Sequence, residues 1–168
     1  MNKKNLILVA LLVLTMLSVS LLAGCGKSAD SNSIKIGLLN EMTGGNATFG
    51  TSSANGAKMA FKEINAKGGV LGKQIVAVIA DNKSEPSESA NAMTKLATQD
   101  NVVAVTGVFA SSNAIAASSV AEATKTPFLA VGATNPKVTV DDKTKKVKAY
   151  TFRVCFIDPF QGTVGANF

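Results

Sequence analysis

A run of small and hydroxyl-bearing residues follows one apolar segment of this 168-residue chain. Residues 105–113 have the sequence Val-Thr-Gly-Val-Phe-Ala-Ser-Ser-Asn and lead from a β-branched run into an alanine-rich stretch. This pattern predicts a strand, a turn and the start of a helix. The first N–H groups of a helix have no partner within it, and the peptide dipoles favour negative charge there by about 0.3–2 kcal/mol. Together with the hydroxyl groups of Ser111 and Ser112, these N–H groups predict a site for an anionic group.

Two interpretations of these serines are open from the local residues. In one, a serine only caps its helix. The other is favoured by a second turn, Val-Gly-Ala-Thr-Asn-Pro at 131–136, which follows the next apolar run. Ligands of open parallel sheets bind at the carboxyl ends of strands, so two such turns at successive strand ends form a plausible pocket wall. We therefore predict that Gly132, Ala133 and Thr134 line the same site as the two serines.

The elements that must position these turns follow from the hydrophobic pattern. Apolar runs and helix-period segments alternate every 30 residues or so, which is typical of a parallel sheet covered by helices. We predict an α/β fold with an open parallel sheet and helices on both faces. Strands are predicted at 34–39, 74–80, 102–106, 127–131 and 150–156, and helices at 52–67, from Pro86 onward, and from about Ser112 to Thr124.

The first residues have the character of an export signal. Lys3 and Lys4 precede an uncharged apolar run at 6–23, which as an alternative is just long enough for a retained membrane anchor. The residues that follow, Leu-Ala-Gly-Cys at 22–25, resemble the lipobox of bacterial lipoproteins. That resemblance implies cleavage before Cys25 and a lipid tether on the extracytoplasmic face of the cell membrane. We predict a signal peptide at 1–24, a flexible tether at 25–33 and a folded lobe at 34–168.

Several kinds of chemistry are excluded or disfavoured by composition. The chain has no histidine, which removes Ser-His-Asp and Cys-His nucleophiles and histidine-bearing zinc sites. A Ser-Lys pair using Ser111 or Ser112 stays formally open, but no lysine is adjacent in sequence, so we predict that the chain is not an enzyme. The segment 68–73 lacks the spacing and order of a phosphate-binding loop, and we expect neither a cofactor nor a metal. Only 5% of residues are aromatic, which disfavours nucleic acid as a partner despite the net charge of +6.

Two smaller features concern the second half of the chain. The segment 137–148 contains five lysines and two aspartates, a local net charge of +3. We predict a solvated loop there, with contact to anionic lipid heads as the alternative. Cys155 lies in an apolar run and is predicted to be a buried small hydrophobe without a disulfide partner.

The chain from Ile34 onward resembles the N-terminal lobe of the leucine-isoleucine-valine-binding family. These are type I periplasmic binding proteins that feed ABC importers of branched-chain amino acids. The resemblance rests on motifs in this order: Ile-Lys-Ile-Gly-Leu at 34–38, Gly-Ala at 56–57, Glu-Ile-Asn-Ala-Lys-Gly-Gly at 63–69 with Gly72, 107–112, Gly-Ala-Thr-Asn-Pro at 132–136, Phe152 to Asp158, and Gln-Gly at 161–162.

The resemblance implies roles for individual residues. It implies that Ser111 and its neighbour Ser112 hold the α-carboxylate of an amino acid, and that Phe49, in the first loop, lies against the ligand. It also implies that the turn at Gly132, Ala133 and Thr134 contacts the carboxylate and ammonium ends. The implied partners are a small amino acid and an ABC permease in the membrane. A ligand-sensing receptor module of the same fold is the alternative function.

The resemblance also implies that a part of the family's architecture is missing. Members of the family have two lobes that close on the ligand, whereas this sequence accounts for the first lobe only. We therefore expect the chain to be a fragment with its second lobe missing. We also expect the fragment to bind amino acids weakly or not at all, because it retains one wall of a two-walled site.

Overall fold

The computed structural model describes residues 33–168, so the predicted signal peptide and nearly all of the predicted tether lie outside the described residues. The strands and helices alternate along the chain. The strands are β1 (Ser33–Asn40), β2 (Gln74–Asp81), β3 (Ala104–Gly107), β4 (Phe128–Ala130) and β5 (Thr151–Arg153), and the helices are α1 (Ala47–Ala66), α2 (Pro86–Thr98), α3 (Ser111–Thr124) and α4 (Asp158–Ala166), with a short 3₁₀ helix at Pro136–Val138.

All five strands pair in parallel in the order β2-β1-β3-β4-β5. The predicted α/β fold with an open parallel sheet is confirmed. The chain leaves β1 toward one edge to form β2 and then returns to its other side to form β3. The carboxyl ends of β1 and β3, where Leu39 pairs with Gly107, therefore flank the point at which the strand order reverses. Crevices at such points are the usual ligand sites of this architecture.

The two faces of the sheet are covered by different helices. Side chains alternate between faces along a strand. A Cβ at Gly37 would lie 3.1 Å from Leu96 of α2, and Leu39, two residues further on, belongs to the main core with α2 and α3. Leu38 is equally buried on the opposite face, on which α1 packs along β1 and β2. The hydrophobic core therefore has two layers, as the continuous apolar character of the strands predicts.

The helix α1 begins at Ala47, five residues before its predicted start at Ser52. Gly50 favours a loop in the sequence, but a Cβ at this position would lie 2.0 Å from the Glu41 carbonyl oxygen. The glycine therefore lets the first turn of α1 pass directly against the backbone that leaves β1. As a consequence Phe49 lies on the first turn of a helix and not in the first loop, which corrects the prediction.

The end of the lysine-rich segment that follows the 3₁₀ helix is hydrogen-bonded to α3. The Glu122 carboxylate accepts hydrogen bonds from the N–H groups of Ala149 (2.9 Å) and Tyr150 (2.8 Å) and from the Thr151 hydroxyl (2.9 Å). Lys148 donates to Ser118 Oγ at 2.6 Å, and its burial lowers the pKa of the ammonium group. Lysines 143, 145 and 146 are exposed. The solvated-loop prediction thus agrees with the middle of the segment, whereas Lys148 is part of the packing.

The C-terminal part of the described chain packs little against the rest. Helix α4 contributes no buried residue, and Phe156, Phe160 and Val164 line an open cleft of about 330 Å³. Cys155 is half-buried, not buried as predicted, because β5 ends at Arg153 and its apolar continuation leaves the sheet. None of the helices within residues 33–168 combines the length and the apolar character needed to cross a bilayer.

The loop between β1 and α1 is anchored by Asp81 at the end of β2. Its carboxylate accepts hydrogen bonds from the Thr43 hydroxyl (2.7 Å) and from the N–H groups of Met42 (2.9 Å), Thr43 (3.2 Å) and Lys83 (2.8 Å). Partial burial disfavours the charged form, but these donors outweigh it and hold the pKa of Asp81 below its usual range. The loop that follows β1 is thereby fixed before it enters the site.

We expect Asp81→Asn to destabilise the chain at neutral pH and to have much less effect in strong acid. A depressed folded-state pKa contributes stability above the unfolded-state pKa of about 3.9, and that contribution is lost as the pH falls toward the folded-state pKa. Urea unfolding of wild type and variant, repeated as the pH is lowered, measures the difference. Glu63→Gln, at an exposed position of α1, is the control. A stability gap for Asp81→Asn that stays constant into strong acid would contradict the assignment.

Candidate functional site

The turn between β3 and α3 has an unusual backbone. Gly107 has φ 129°, and a Cβ there would lie 2.0 Å from the Leu39 carbonyl oxygen, so the position requires glycine. Val108 follows with φ 59°, a left-handed conformation that is rare and strained for a β-branched residue. Two hydrogen bonds hold it, from Val108 N–H to Leu39 O (2.8 Å) and from Val131 N–H to Gly107 O (3.0 Å). This backbone directs the start of α3 to the crevice beside β1.

The first hydrogen-bond donors of this turn are taken by a side chain of the protein itself. Glu41 is fully buried, and its carboxylate accepts from the N–H groups of Phe109 (2.9 Å) and Ala110 (3.1 Å) and from the Asn113 side-chain amide (3.0 Å). Both oxygens act as acceptors, which is the hydrogen-bonding pattern of the ionised form. Sequence analysis missed Glu41. Its position directly after β1, at the strand end next to the predicted turn, is the one indication the sequence offers.

The two predicted turns meet through Ser111. Its Oγ accepts a hydrogen bond from the Asn135 N–H at 3.2 Å, which leaves the hydroxyl proton available to a ligand. Ser111 and Thr134 are half-buried and Ser112 is exposed. Within residues 33–168, the hydroxyl groups of Ser112 and Thr134 take part in no hydrogen bond. These hydroxyl groups, all close to the carboxyl edge of the sheet, can therefore serve a bound molecule.

The second turn is held from behind by Arg153 of β5, another residue that sequence analysis did not assign to the site. Its guanidinium donates to the carbonyl oxygens of Ala133 (2.9 Å), Asn135 (3.0 Å) and Pro136 (3.2 Å) and to the Thr139 hydroxyl (2.7 Å). The Ala133 side chain is fully buried, so this residue can reach a ligand only through its backbone. The backbone of the turn is thus held by hydrogen bonds from a single guanidinium group.

A pair of stacked rings connects α1 to both turns. The rings of Phe49 and Phe109 lie parallel within 3° with their centroids 4.3 Å apart. On the Gly132 side, a Cβ at residue 132 would lie only 2.2 Å from Phe109 Cδ2, so the ring packs directly on this glycine. Phe49 remains 51% exposed. The structure thus places the six predicted ligand residues on connected elements at one edge of the sheet, whereas Cys25 lies outside the described residues.

Other chemistry finds little support in the described part of the chain. No group of three potential metal-ligating His, Cys, Asp or Glu side chains occurs within residues 33–168. The one Ser-Lys hydrogen bond described there joins Ser118 to Lys148, and not Ser111 or Ser112 to a lysine. Ser118 is fully buried and its hydroxyl donates to the Ile115 carbonyl oxygen at 2.8 Å. A nucleophile in that position cannot reach a substrate, so the pair is structural.

Three clefts of the described structure are lined by residues other than the predicted ligand residues. One of about 620 Å³ lies between α3 and the lysine-rich segment, and a neighbouring one of about 280 Å³ is lined by Asn135, Pro136 and the acidic side chains of the same segment. Asp141 and Asp142 pair there with lysines or neighbouring backbone groups. The site at the strand ends is bordered by two turns and an aromatic ring, and its Ser112 and Phe49 side chains are exposed.

Comparison with known proteins decides the family. A sequence model of the family described as "Periplasmic binding protein" matches residues 33–168, which is the entire described region. The chain belongs to the periplasmic binding protein family. Among its relatives, an amino acid binding protein of Pseudomonas aeruginosa is 36% identical over 152 residues, which cover 90% of this chain and 39% of the relative. A leucine-specific-binding protein of Salmonella typhimurium is 32% identical over 89% of this chain and 38% of the relative.

Solved periplasmic binding proteins have the same fold in the matched region. The branched-chain amino acid transporter substrate binding protein LivJ of Streptococcus pneumoniae, solved in complex with isoleucine, is 41% identical with a TM-score of 0.73. The match covers 80% of this chain and 37% of LivJ. The leucine binding protein LivK of Thermotoga maritima is 37% identical with a TM-score of 0.69, and the match covers 80% of this chain and 36% of LivK. The resemblance inferred from the sequence motifs is confirmed. The chain spans less than two fifths of the length of these relatives.

Proposed function

We propose that this chain is the N-terminal ligand-holding lobe of an extracytoplasmic solute-binding protein that captures a branched-chain or related amino acid for an ABC importer. The observation that carries the proposal is the hydrogen bond from Asn135 N–H to Ser111 Oγ, which unites the turns after β3 and β4 into one cradle. The cradle lies at the carboxyl edge of a parallel sheet, where ligands of this fold class bind. The names of the relatives, which are amino acid and leucine binding proteins, agree with it.

The cradle suits the polar end of a free amino acid. The α-carboxylate would accept from the Ser111 and Ser112 hydroxyl groups and from N–H groups of the first turn of α3 and of residues 132–134. Hydrogen bonds to a charged group contribute about 1.5–3 kcal/mol each, enough to replace water around the carboxylate. The Thr134 hydroxyl, which has no hydrogen-bond partner within residues 33–168, would accept from the ammonium group. The exposed ring of Phe49 offers an apolar surface to an aliphatic side chain.

The proposed location of the protein rests on residues that precede the described region. We propose that the lipobox-like segment at 22–25 directs lipid attachment to Cys25, and that the protein is tethered on the extracytoplasmic face of the cell membrane. A lipid tether would keep the lobe close to the membrane permease that receives the ligand. Mass spectrometry of the membrane fraction tests this, because a diacylated Cys25 at the mature N-terminus is expected, and Cys25→Ala should release the protein from the membrane.

We expect Ser111→Ala to weaken binding of leucine by about 1–3 kcal/mol, because a hydroxyl donor to the carboxylate is lost and the Asn135 N–H loses its acceptor. The cradle is open on one side, so we expect the isolated chain to bind leucine only weakly. Titration of the ¹⁵N-labelled chain with leucine, isoleucine and valine, followed by NMR, measures such affinities. Ser119→Ala, an exposed serine on the same helix, is the matched control.

The same titration has outcomes that would contradict the proposal. Equal affinities for wild type and Ser111→Ala would remove Ser111 from the ligand site. Shift changes confined to residues far from the turns after β3 and β4 would remove the cradle itself. Nanomolar binding by the isolated chain would show that it does not need a second wall.

A further inference from the structure

The buried carboxylate of Glu41 occupies a place that an anion would otherwise seek. Its Oε1 accepts from Ala110 N–H, one residue before Ser111, and its Oε2 accepts from Phe109 N–H. N–H groups that precede and open a helix attract anions through their unpaired donors and the helix dipole. In this protein two such donors, together with the Asn113 amide, are already satisfied by a side chain that is 0% exposed.

This arrangement has an electrostatic consequence for the neighbouring cradle. A buried negative charge lies directly behind Ser111, in surroundings where charges interact more strongly than in water. A second carboxylate arriving at Ser111 is repelled by that charge, whereas the ammonium group of a zwitterion offsets the repulsion. Within residues 33–168 Glu41 takes part in no salt bridge, so no lysine or arginine of the described chain pairs directly with its carboxylate.

We propose that Glu41 is a selectivity residue of the ligand site. It serves as a built-in anion that fills the deepest donors of the β3–α3 turn and makes the cradle favour zwitterions over simple carboxylates. This inference rests on the proposed function, since it concerns the same cradle. The new claim is that Glu41, which does not touch the ligand, determines the preference for an amino acid over the same molecule without its ammonium group.

The first experiment compares two ligands and two proteins. Wild type and the isosteric variant Glu41→Gln are titrated with leucine and with 4-methylpentanoate, which is leucine without its ammonium group. We expect the preference of the wild type for leucine to fall by about tenfold in Glu41→Gln, because the repulsion of the lone carboxylate is removed. If Glu41 had only a structural role, Glu41→Gln would weaken the binding of both ligands by the same factor. An unchanged ratio of affinities would therefore overturn the proposal.

The second experiment does not depend on ligand binding. Glu41→Ala removes the built-in anion and leaves its three donors in an empty space, so formate should enter and stabilise the variant. We expect formate to raise the melting temperature of Glu41→Ala above that in chloride at equal ionic strength, with no such difference for wild type or for the exposed-site control Glu63→Ala. If the variant is unfolded in chloride, recovery of folded protein in formate is the expected result. Identical behaviour in the two salts would overturn the proposal.

The two experiments separate the two levels of inference. If leucine and 4-methylpentanoate shift only residues far from the turns after β3 and β4 while formate rescues Glu41→Ala, the built-in anion is real and the proposed function of this chain fails. If leucine binds at the cradle while the ratio is unchanged and formate does nothing, the proposed function stands and the role of Glu41 is wrong.

Discussion

Arg153→Met is expected to lower the free energy of unfolding by about 2–4 kcal/mol and to abolish whatever affinity the lobe has for amino acids. The guanidinium group donates to three carbonyl oxygens and one hydroxyl of the segment that follows β4. Methionine fills a similar length but donates nothing, so these partly buried acceptors lose a charged donor. The turn that carries Gly132 and Thr134 is then free to leave its position beside Ser111.

Two variants give this prediction its controls. Arg153→Lys keeps the charge but cannot span four acceptors with one planar group, so we expect an intermediate loss of stability. Lys137→Met removes a cation of similar length from an exposed ion pair with Asp142, 2.9 Å long, and should change stability by no more than about 0.5 kcal/mol. Denaturant unfolding measures the free energy of unfolding of the three variants. Equal stability of Arg153→Met and Lys137→Met would show that Arg153 does not hold the turn.

Gly132→Ala is expected to destabilise the chain by about 1–3 kcal/mol and to separate the stacked rings. The added Cβ would lie 2.2 Å from Phe109 Cδ2 and 2.7 Å from Cε2, so the ring must move. The same ring is stacked on Phe49, with the ring centroids 4.3 Å apart. Displacement of the Phe109 ring by a change in the β4 turn therefore also affects Phe49 in the first turn of α1, on the other side of the proposed ligand site.

The matched control is a glycine with open space around it. A Cβ at Gly56, in the exposed middle of α1, meets nothing within 4 Å. Gly56→Ala should therefore stabilise the chain by about 0.5–1 kcal/mol through its better helix propensity. Thermal unfolding measures whether each variant is more or less stable than wild type, and nuclear Overhauser contacts between the Phe49 and Phe109 rings report whether they remain stacked. We expect Gly132→Ala to lose stability and the ring stack, and Gly56→Ala to gain stability and keep the stack. A Gly132→Ala protein with an intact stack would refute the proposed packing.

The site is built largely from contacts within the lobe. Glu41 fixes the start of α3, Arg153 fixes the turn after β4, and Ser111 joins the two by accepting from Asn135. When hydrogen-bond donors are already held in position, less binding free energy is lost in ordering them. One wall of the site can therefore be ordered while the site remains open to solvent.

The sequence by itself determined the fold class and the identity of the two turns. Apolar runs that alternate with helix-period segments leave a parallel sheet as the arrangement that buries both faces of its strands, and carboxyl ends of parallel strands converge. The position of Ser111, Ser112, Gly132, Ala133 and Thr134 at the carboxyl edge of the sheet could therefore be predicted from local pattern. Strand ends were less well predicted: β3 begins at Ala104 and not Val102, because pairing with β1, and not hydrophobicity, defines a strand.

Only the tertiary structure decided which side chains support those turns. Glu41 is 68 residues from Phe109 and 72 from Asn113, and Arg153 is 20 residues from Ala133. No local periodicity encodes a buried acid that meets a distant helix start, because its partners are backbone N–H groups, which every residue except proline possesses. The placement of Phe49 on a helix was likewise decided by a close approach of Gly50 to Glu41. Hydrophobic pattern sets which elements form, whereas the satisfaction of buried polar groups can be worked out only once those elements have met.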